Sequence, residues 1–288
     1  MLANLPPPLP NGSVEEQRRY SDAYQADFSA VQEKRYAVDI ADSVVAGVPT
    51  RVISPKVGKN AGFVMLNVHG GGFTMDSGSL TENIPLAALT HATVYAVRYR
   101  LAPEHPFPAA LDDVLAVYKE LLKIHKPQHI VVYGTSAGAV VTAELAATLK
   151  QGRLPMPAAL GFFSGTADMD RRCELESGLN PLIPASPEIA LDQLISSYSG
   201  STDRKTPALS PIYSDLKGWP PILLISSTRD FLLSDTALFH RALLGAGVDA
   251  RLVIFEALPH AFWAYTDLPE STEAFELMAR FFVAHAHD

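Results

Sequence analysis

The chain alternates between two patterns of apolar residues. Short apolar runs rich in β-branched residues have the length of buried strands, and segments with apolar residues at helical spacing follow most of them. Strands and helices that alternate in this way are typical of a parallel α/β sheet. After a hairpin predicted at 36–55, the predicted strands lie at about 63–68, 92–97, 130–133, 158–163, 222–226 and 251–255. The predicted helices lie at about 13–32, 108–124, 137–149, 188–198, 235–244 and 270–284.

Two regions depart from this alternation. Residues 1–10 form a proline-rich arm, and the predicted helix after them begins with Ser13 and Glu16, the pattern of a capping box. Residues 165–218 contain glycine, proline and serine clusters but no run typical of a sheet core. We therefore expect an inserted cap at 165–218, between two parts of one α/β core.

The composition excludes several classes of function. The 288 residues are 48% hydrophobic and 19% charged, which is enough apolar material for a sizeable core. The net charge is −8 and there is no basic run, so we expect no nucleic-acid partner. Cys173 is the single cysteine and allows no internal disulfide. Without a signal-peptide pattern or an apolar stretch near the ~20 residues of a membrane span, we expect a soluble, cytoplasmic protein.

One stretch places Gly134-Thr135-Ser136-Ala137-Gly138 between a predicted strand and a predicted helix. A serine in such a G-x-S-x-G turn is a candidate nucleophile, because the sharp turn presents its hydroxyl at the end of the sheet. Glycines on both sides leave room for the turn. The following helix directs its N–H groups and the positive end of its dipole toward the serine. The motif alone is common, so its significance depends on the rest of the chain.

A glycine loop, His69-Gly70-Gly71-Gly72, follows another predicted strand. The N–H groups of Gly71 and Gly72, with that of Ala137, are predicted to form an oxyanion hole, since glycines let the backbone approach a substrate. The alternatives are a flexible turn or a phosphate-binding loop. A phosphate loop would contain Gly-Lys-Ser/Thr, and no lysine follows here.

His260 is the candidate base among nine histidines, because it follows the last predicted strand and lies downstream of Ser136. Asp230 follows the preceding strand and is the candidate acid that orients His260. This chain order, nucleophile, acid and histidine, is one of those known for serine triads. Asp235 competes with Asp230, but it fits better in the first turn of the following helix.

These motifs, with the loop Tyr-Arg-Leu-Ala-Pro-Glu at 99–104, resemble the hormone-sensitive-lipase-like (bacterial family IV) carboxylesterases. The resemblance implies an α/β-hydrolase fold, a mostly parallel eight-stranded sheet flanked by helices with a helical cap. The expected organisation is an N-terminal cap segment at 1–38, a core at 39–164 and 219–288, and a cap insertion at 165–218.

The resemblance also implies the activity, a serine carboxylester hydrolase that acts on short-to-medium acyl esters through an acyl-enzyme on Ser136. It implies Asp230 and His260 as the other catalytic residues and no cofactor, and we predict no metal site. Its partner is then a small ester, and a homodimer is expected by analogy. Lactone, amide or acyl-transfer chemistry at the same serine stays open. A non-catalytic receptor is disfavoured because His260 is present.

Two residues depart from the commoner family pattern. Thr135 stands where many relatives have aspartate, although the family includes a threonine branch, and Ala261 stands where glycine is frequent. Neither change removes a reacting group. We expect Arg100 and Glu104 to shape the loop rather than to react, because no reacting role is left for them. Among the aromatic residues, Phe73 and Phe231 are the candidates for the substrate pocket.

Overall fold

The computed structural model describes residues 12–58, 61–170, 188–264 and 268–286. Its strands are β1 (Val38–Val45), β2 (Val48–Pro55), β3 (Val64–Val68), β4 (Thr93–Val97), β5 (Ile130–Thr135), β6 (Ala159–Phe163), β7 (Ile222–Arg229) and β8 (Ala250–Pro259). Its helices are α1 (Val14–Arg35), α2 (Asn83–Thr90), α3 (Ala109–Leu121), α4 (Ala137–Gln151), α5 (Glu188–Ser199), α6 (Leu233–Gly245) and α7 (Pro269–His285).

All eight strands belong to one sheet, in the order β1-β2-β4-β3-β5-β6-β7-β8. The pairs β1–β2 and β2–β4 are antiparallel, and every other pair is parallel. The prediction of a mostly parallel eight-stranded α/β sheet is therefore confirmed. β1 and β2 form the hairpin expected at 36–55.

The central strands are covered on both faces of the sheet. Every residue of β3, β5 and β6 is buried. Successive side chains point to opposite faces, so Val132 packs in the cluster that includes α3, α4 and α6, whereas Val131 packs in the cluster that includes α2 and α7. Burial on both faces explains why these strands are continuous apolar runs in the sequence.

The first helix begins as predicted. Ser13 Oγ accepts a hydrogen bond from the Glu16 N–H, and Glu16 Oε2 accepts one from the Ser13 N–H at 2.8 Å, so the capping box is complete. The helix α1 continues to Arg35, three residues past the expected end near Gln32. Lys34 and Arg35 in its last turn stabilise this end of the helix, because cations interact favourably with the negative end of the helix dipole.

Two features of the sheet region differ from the sequence expectations. β7 extends to Arg229 and β8 to Pro259, beyond the apolar runs that predicted them, so that Asp230 and His260 directly follow strand ends. The helix α2 was not predicted from the sequence. Six of its eight residues are buried and its Glu82 N-cap makes no side-chain capping bond, so it shows neither a polar face nor a start signal.

The region between β6 and β7 holds α5 and connecting loops. Two parts of the predicted organisation lie outside the described residues. They are the proline-rich residues 1–10 and residues 171–187 of the predicted insertion, which include Cys173. Among the helices that the structure describes, none combines the length and the apolar character that crossing a bilayer requires.

The substitution Gly138→Ala is expected to lower the free energy of unfolding by about 3 kcal/mol. Gly138 lies where α4 packs on the end of β3, and an added Cβ would lie 1.9 Å from the carbonyl oxygen of Val68. Because that oxygen belongs to the backbone, relief requires the helix or the strand to move. Chemical denaturation of the purified variant measures the effect.

Gly245→Ala is the matched control. It also adds one methyl group to a helical glycine, but nothing lies within 4 Å of the added Cβ. Alanine has the higher helix propensity, so this variant is expected to be as stable as the wild type or slightly more stable. Equal destabilisation by the two substitutions would contradict the close approach at Gly138.

Candidate active site

Several loops meet at one edge of the sheet because the strands that carry them are parallel. Ser136 follows β5, Asp230 follows β7 and His260 follows β8, while the glycine loop at 69–72 follows β3. Ligands of open α/β sheets bind outside these carboxyl ends of the strands. A cavity of about 420 Å³ lies here, and Ser136, His260 and the glycine loop line it.

Ser136 has a strained backbone conformation, with φ 57° and ψ −121°. A positive φ is uncommon for a residue other than glycine, and the surrounding packing must hold it in place. Its N–H donates to the carbonyl oxygen of Phe163 at the end of β6, at 2.8 Å. The turn requires Gly134, because a Cβ there would lie 2.3 Å from the carbonyl oxygen of Gly138. The backbone on both sides therefore fixes the direction of the hydroxyl.

The three residues predicted as a triad lie in hydrogen-bonding contact. His260 Nε2 is 2.9 Å from Ser136 Oγ, and His260 Nδ1 is 2.8 Å from Asp230 Oδ1. Asp235, the competing acid, has another hydrogen-bond partner. It lies in the first turn of α6, where its Oδ1 accepts a hydrogen bond from Thr166 Oγ1 at 3.3 Å. The described contact of His260 is thus with Asp230, and the assignment of Asp230 as the orienting acid stays a prediction.

The carboxylate of Asp230 is fully buried. Besides its contact with His260, Oδ2 accepts from Ser226 Oγ and Oδ1 accepts from the Leu232 N–H, each at 3.0 Å. Burial alone would raise the pKa of Asp230, but the adjacent His260 and the hydrogen-bond donors outweigh it and hold that pKa below its usual value. Asp230 is therefore ionised at neutral pH and fixes the orientation of the imidazole.

The three residues predicted to supply the oxyanion donors all line the cavity. The backbone has a positive φ at Gly71, 113°, and at Gly72, 59°. Among the described residues, no acceptor is bonded to the N–H of Gly71, Gly72 or Ala137, and all three residues line the cavity. Unpaired N–H groups at such a position are available to an oxygen of a ligand.

The side chain of His69 contacts both the glycine loop and the loop at 99–104. Its buried ring stacks on Tyr99, with centroids 4.1 Å apart, and its Nδ1 lies 2.8 Å from the carbonyl oxygen of Gly70. The Tyr99 hydroxyl donates to the carbonyl oxygen of His69 at 2.9 Å. The loop at 99–104 therefore shapes the glycine loop through its first residue.

The two charged residues of the 99–104 loop form ion pairs outside the cavity. Arg100 pairs with Asp113 at 2.8 Å, and Glu104 pairs with Arg18 of α1 at 2.7 Å. Arg18 also donates to the carbonyl oxygen of Thr74, just past the glycine loop, at 2.7 Å. Through Arg18, α1 is therefore bound to the 99–104 loop and to the segment after the glycine loop. These ion pairs agree with the structural role expected for Arg100 and Glu104.

Phe73 and Phe231 both line the cavity. The Phe73 ring stacks on Tyr198 of α5, with centroids 3.8 Å apart, whereas the Phe231 ring lies 4.4 Å from the ring of His260. Phe231 therefore shields the imidazole. Phe73 joins the glycine loop to α5.

Glu82, which also lines the cavity, was not singled out from the sequence. Glu82 is buried, and its carboxylate accepts hydrogen bonds from Thr135 Oγ1 at 2.5 Å, Asn67 Nδ2 at 3.0 Å and Trp263 Nε1 at 3.1 Å. Burial raises the pKa of Glu82 to about 7, although these three hydrogen bonds oppose the rise. A signal was present in the sequence, since Asp76 and Glu82 are the only Asp, Glu, Lys or Arg residues between 61 and 97.

Comparison with known proteins agrees with this geometry. Residues 65–264 match the family described as the alpha/beta hydrolase fold. The chain belongs to the α/β-hydrolase family. This hydrolase is 31% identical over 284 residues to the acetyl-hydrolase of Streptomyces hygroscopicus, with 94% of the chain and 90% of that protein covered.

Comparison with solved structures narrows the family to which the hydrolase is similar. It superposes on the crystal structure of an esterase, E25, with a TM-score of 0.85 and 30% identity, covering 99% of this chain and 92% of that one. An esterase from the bacterial hormone-sensitive lipase family gives a TM-score of 0.86 and 27% identity, covering 96% and 93%. The predictions of a hormone-sensitive-lipase-like hydrolase and of a carboxylesterase are confirmed. Within the described part of the chain, no group of three or more His, Cys, Asp or Glu side chains is arranged to hold a metal ion.

The substitution Glu82→Gln is expected to change how stability depends on pH. Folding raises the pKa of Glu82 from 4.5 to about 7, so the folded state holds this proton more tightly than the unfolded state does. The stabilisation that Glu82 gives the folded state is fully present below the pKa of the unfolded chain. It is lost as the pH rises through the pKa of the folded protein. Relative to Glu82→Gln, the wild type should therefore lose up to about 3 kcal/mol of unfolding free energy between about pH 4.5 and 8.

Chemical denaturation of both proteins across that pH range makes the comparison. Parallel stability curves for the wild type and Glu82→Gln would show that Glu82 does not titrate differently on folding.

Proposed function

We propose that this hydrolase cleaves short-to-medium acyl esters through an acyl-enzyme on Ser136. The observation that carries the proposal is the continuous line of contacts from Ser136 Oγ to His260 at 2.9 Å and from His260 to Asp230 at 2.8 Å. A hydroxyl is a weak nucleophile at neutral pH unless a positioned base removes its proton. His260 is placed to do so, and Asp230 fixes the ring and stabilises the imidazolium that forms.

In the first half of the reaction, Ser136 Oγ attacks the ester carbonyl carbon while its proton passes to His260 Nε2. The carbonyl oxygen becomes an oxyanion, and the N–H groups of Gly71, Gly72 and Ala137 stabilise it. One such donor typically lowers the barrier by about 3–4 kcal/mol. His260 then gives the proton to the departing alcohol oxygen as the C–O bond breaks, which leaves the acyl group on Ser136.

In the second half, water attacks the acyl-enzyme from the space that the alcohol has left. His260 takes a proton from the water, and the same N–H groups hold the second oxyanion. The proton returns to Ser136 Oγ as the acid leaves, so the enzyme is regenerated and one water is consumed for each ester.

The cavity supports small, mainly apolar esters as substrates. Its volume of about 420 Å³ lies at the lower end of the range for small-molecule sites. Its apolar side chains come from several segments; they include Met75, Val140, Met169, Leu191, Leu194, Ile195 and Phe231. The name of the acetyl-hydrolase relative agrees with a short acyl group.

The regions 1–38 and 165–218 are proposed to form the cap over this cavity. Tyr20 and Tyr24 of α1 and Leu194 of α5 all line it. A Cβ added to Gly72 would lie 2.9 Å from Leu194 Cδ1, which brings α5 directly over the glycine loop. These contacts support a cap built from both regions, with the α/β core at 39–164 and 219–288.

The remaining partner assignments are also proposals. The net charge of −8 supports the absence of a nucleic-acid partner. A homodimer rests on analogy with the family, not on a contact within this chain. A cytoplasmic location is a separate proposal.

The substitution Ser136→Ala is expected to lower kcat for p-nitrophenyl acetate by ~10⁴ or more, because it removes the nucleophile and leaves the binding contacts in place. Initial rates on purified protein measure the loss. Ser43→Ala, which removes the hydroxyl of an exposed serine in β1, is the matched control and should keep wild-type kcat.

Labelling with a fluorophosphonate probe tests the assignment of the nucleophile independently. The probe should label the wild type and Ser43→Ala with one adduct per chain and should not label Ser136→Ala. Ester hydrolysis retained by pure Ser136→Ala, or labelling of that variant, would contradict the assignment of the nucleophile.

The acyl-chain preference is expected to follow the size of the cavity. At matched concentrations, kcat/KM for p-nitrophenyl esters should be highest from acetate to hexanoate and fall by about tenfold or more at dodecanoate, since a longer chain exceeds the enclosed volume. Leu194→Ala removes a side chain over the glycine loop and should raise the relative rate on the longer esters. A profile that rises toward dodecanoate in the wild type would contradict this substrate range.

A further inference from the structure

We propose that Glu82 is a positioning residue for catalysis, a buried carboxylate that ties the turn carrying Ser136 to the loop that follows His260. This inference rests on the proposed function, because it concerns how the side chains of Ser136 and His260 are held within hydrogen-bonding distance of each other. Glu82 accepts no hydrogen bond from Ser136 or His260, so it acts through the residues beside them.

The first contact reaches the nucleophile. Thr135 Oγ1 donates to Glu82 Oε2 at 2.5 Å. Thr135 is the last residue of β5 and directly precedes Ser136, whose φ of 57° is held against its own preference. A hydrogen bond to the side chain just before a strained residue restricts the rotation that would relieve the strain. Glu82 thereby limits movement of the Ser136 hydroxyl.

The second contact reaches the base. Trp263 Nε1 donates to the same oxygen, Glu82 Oε2, at 3.1 Å. Trp263 lies in the short 3-10 turn Phe262–Ala264, just after His260. Its ring is buried and lies edge-on to Phe163, with centroids 6.0 Å apart, while the carbonyl of Phe163 accepts the Ser136 N–H. Glu82 Oε2 therefore connects the residue before Ser136 with the short turn after His260.

The third contact anchors the carboxylate to the sheet. Asn67 of β3 donates from Nδ2 to Glu82 Oε1 at 3.0 Å. Asn67 Oδ1 accepts from Asn83 Nδ2 at 2.9 Å, and Asn83 Oδ1 accepts from the Tyr133 hydroxyl of β5 at 2.5 Å. Each member of this buried network has a partner, and fully satisfied networks of this kind hold their members rigidly.

The network accounts for a carboxylate rather than an amide at this position. Oε2 accepts two donors and Oε1 accepts a third, and an ionised carboxylate is an acceptor at both oxygens. A glutamine would turn an NH₂ group toward one of these donors. Because burial raises the pKa of Glu82 to about 7, assays at about pH 8 examine the ionised form.

Substitution of Thr135 provides the cleanest test. Thr135→Val keeps the shape and removes the hydroxyl donor, whereas Thr135→Ser keeps the donor and removes a methyl group. We expect Thr135→Val to lower kcat for p-nitrophenyl acetate by about tenfold to a hundredfold with KM within about twofold, because small misplacements of a nucleophile cost this much. Thr135→Ser should stay within about threefold of wild-type kcat.

Rates are normalised to reactive sites by titration with a fluorophosphonate, so that a loss of folded protein does not count as a loss of kcat. Trp263→Phe, which removes the indole donor and leaves a smaller ring, should also lower kcat. Since both donors act through Glu82, the double variant should lose less than the product of the two single losses. Thr90→Val is the matched control, because it makes the same substitution at a buried threonine whose hydroxyl donates to the carbonyl oxygen of Leu86. Thr90 does not line the cavity, so this variant should leave kcat unchanged.

The outcomes separate this inference from the proposed function. Loss of kcat in Thr135→Val with rescue in Thr135→Ser and a non-additive double variant supports the role of Glu82. Folded Thr135→Val with kcat within twofold of the wild type overturns it and leaves the nucleophile assignment intact. A wild type without esterase activity, or an active Ser136→Ala, overturns the proposed function itself.

Discussion

The hydrogen-bonded line from Ser136 through His260 to Asp230 depends on the parallel direction of β5, β7 and β8. The first contact joins residues 124 positions apart and the second joins residues 30 positions apart. Parallel strands bring their carboxyl ends to one edge, so side chains far apart in sequence converge there. The register of β8 matters as well, since a shift by one residue would turn its side chains to the opposite face.

The packing behind this edge holds features that would be unfavourable in isolation. Ser136 has a positive φ, Gly134 and Gly138 allow backbone segments to approach more closely than a Cβ permits, and Glu82 is a buried acid. Each is sustained by the apolar clusters on the two faces of the sheet and by a satisfied hydrogen-bond network. The backbone geometry around Ser136 therefore depends on the packing of the whole core.

The sequence allowed the sheet, and the positions of Ser136, Asp230 and His260 after its strands, to be predicted because their signals are local. Strands, glycine motifs and the positions of Asp230 and His260 after apolar runs are each visible within a few residues. The helix α2 lacked such a signal, since its residues are mostly buried and show no polar face. The contacts of Glu82 with Asn67, Thr135 and Trp263 span 15, 53 and 181 positions, so only the folded chain brings them together.

The central claim, that Ser136 carries the acyl group, is tested most directly by trapping the intermediate. The hydrolase is mixed with p-nitrophenyl acetate, quenched in acid within the first turnovers and digested for mass spectrometry. The account predicts an added acetyl group on the peptide that contains Ser136, formed at the rate of p-nitrophenol release. An acetyl group on another residue in place of Ser136 would contradict it.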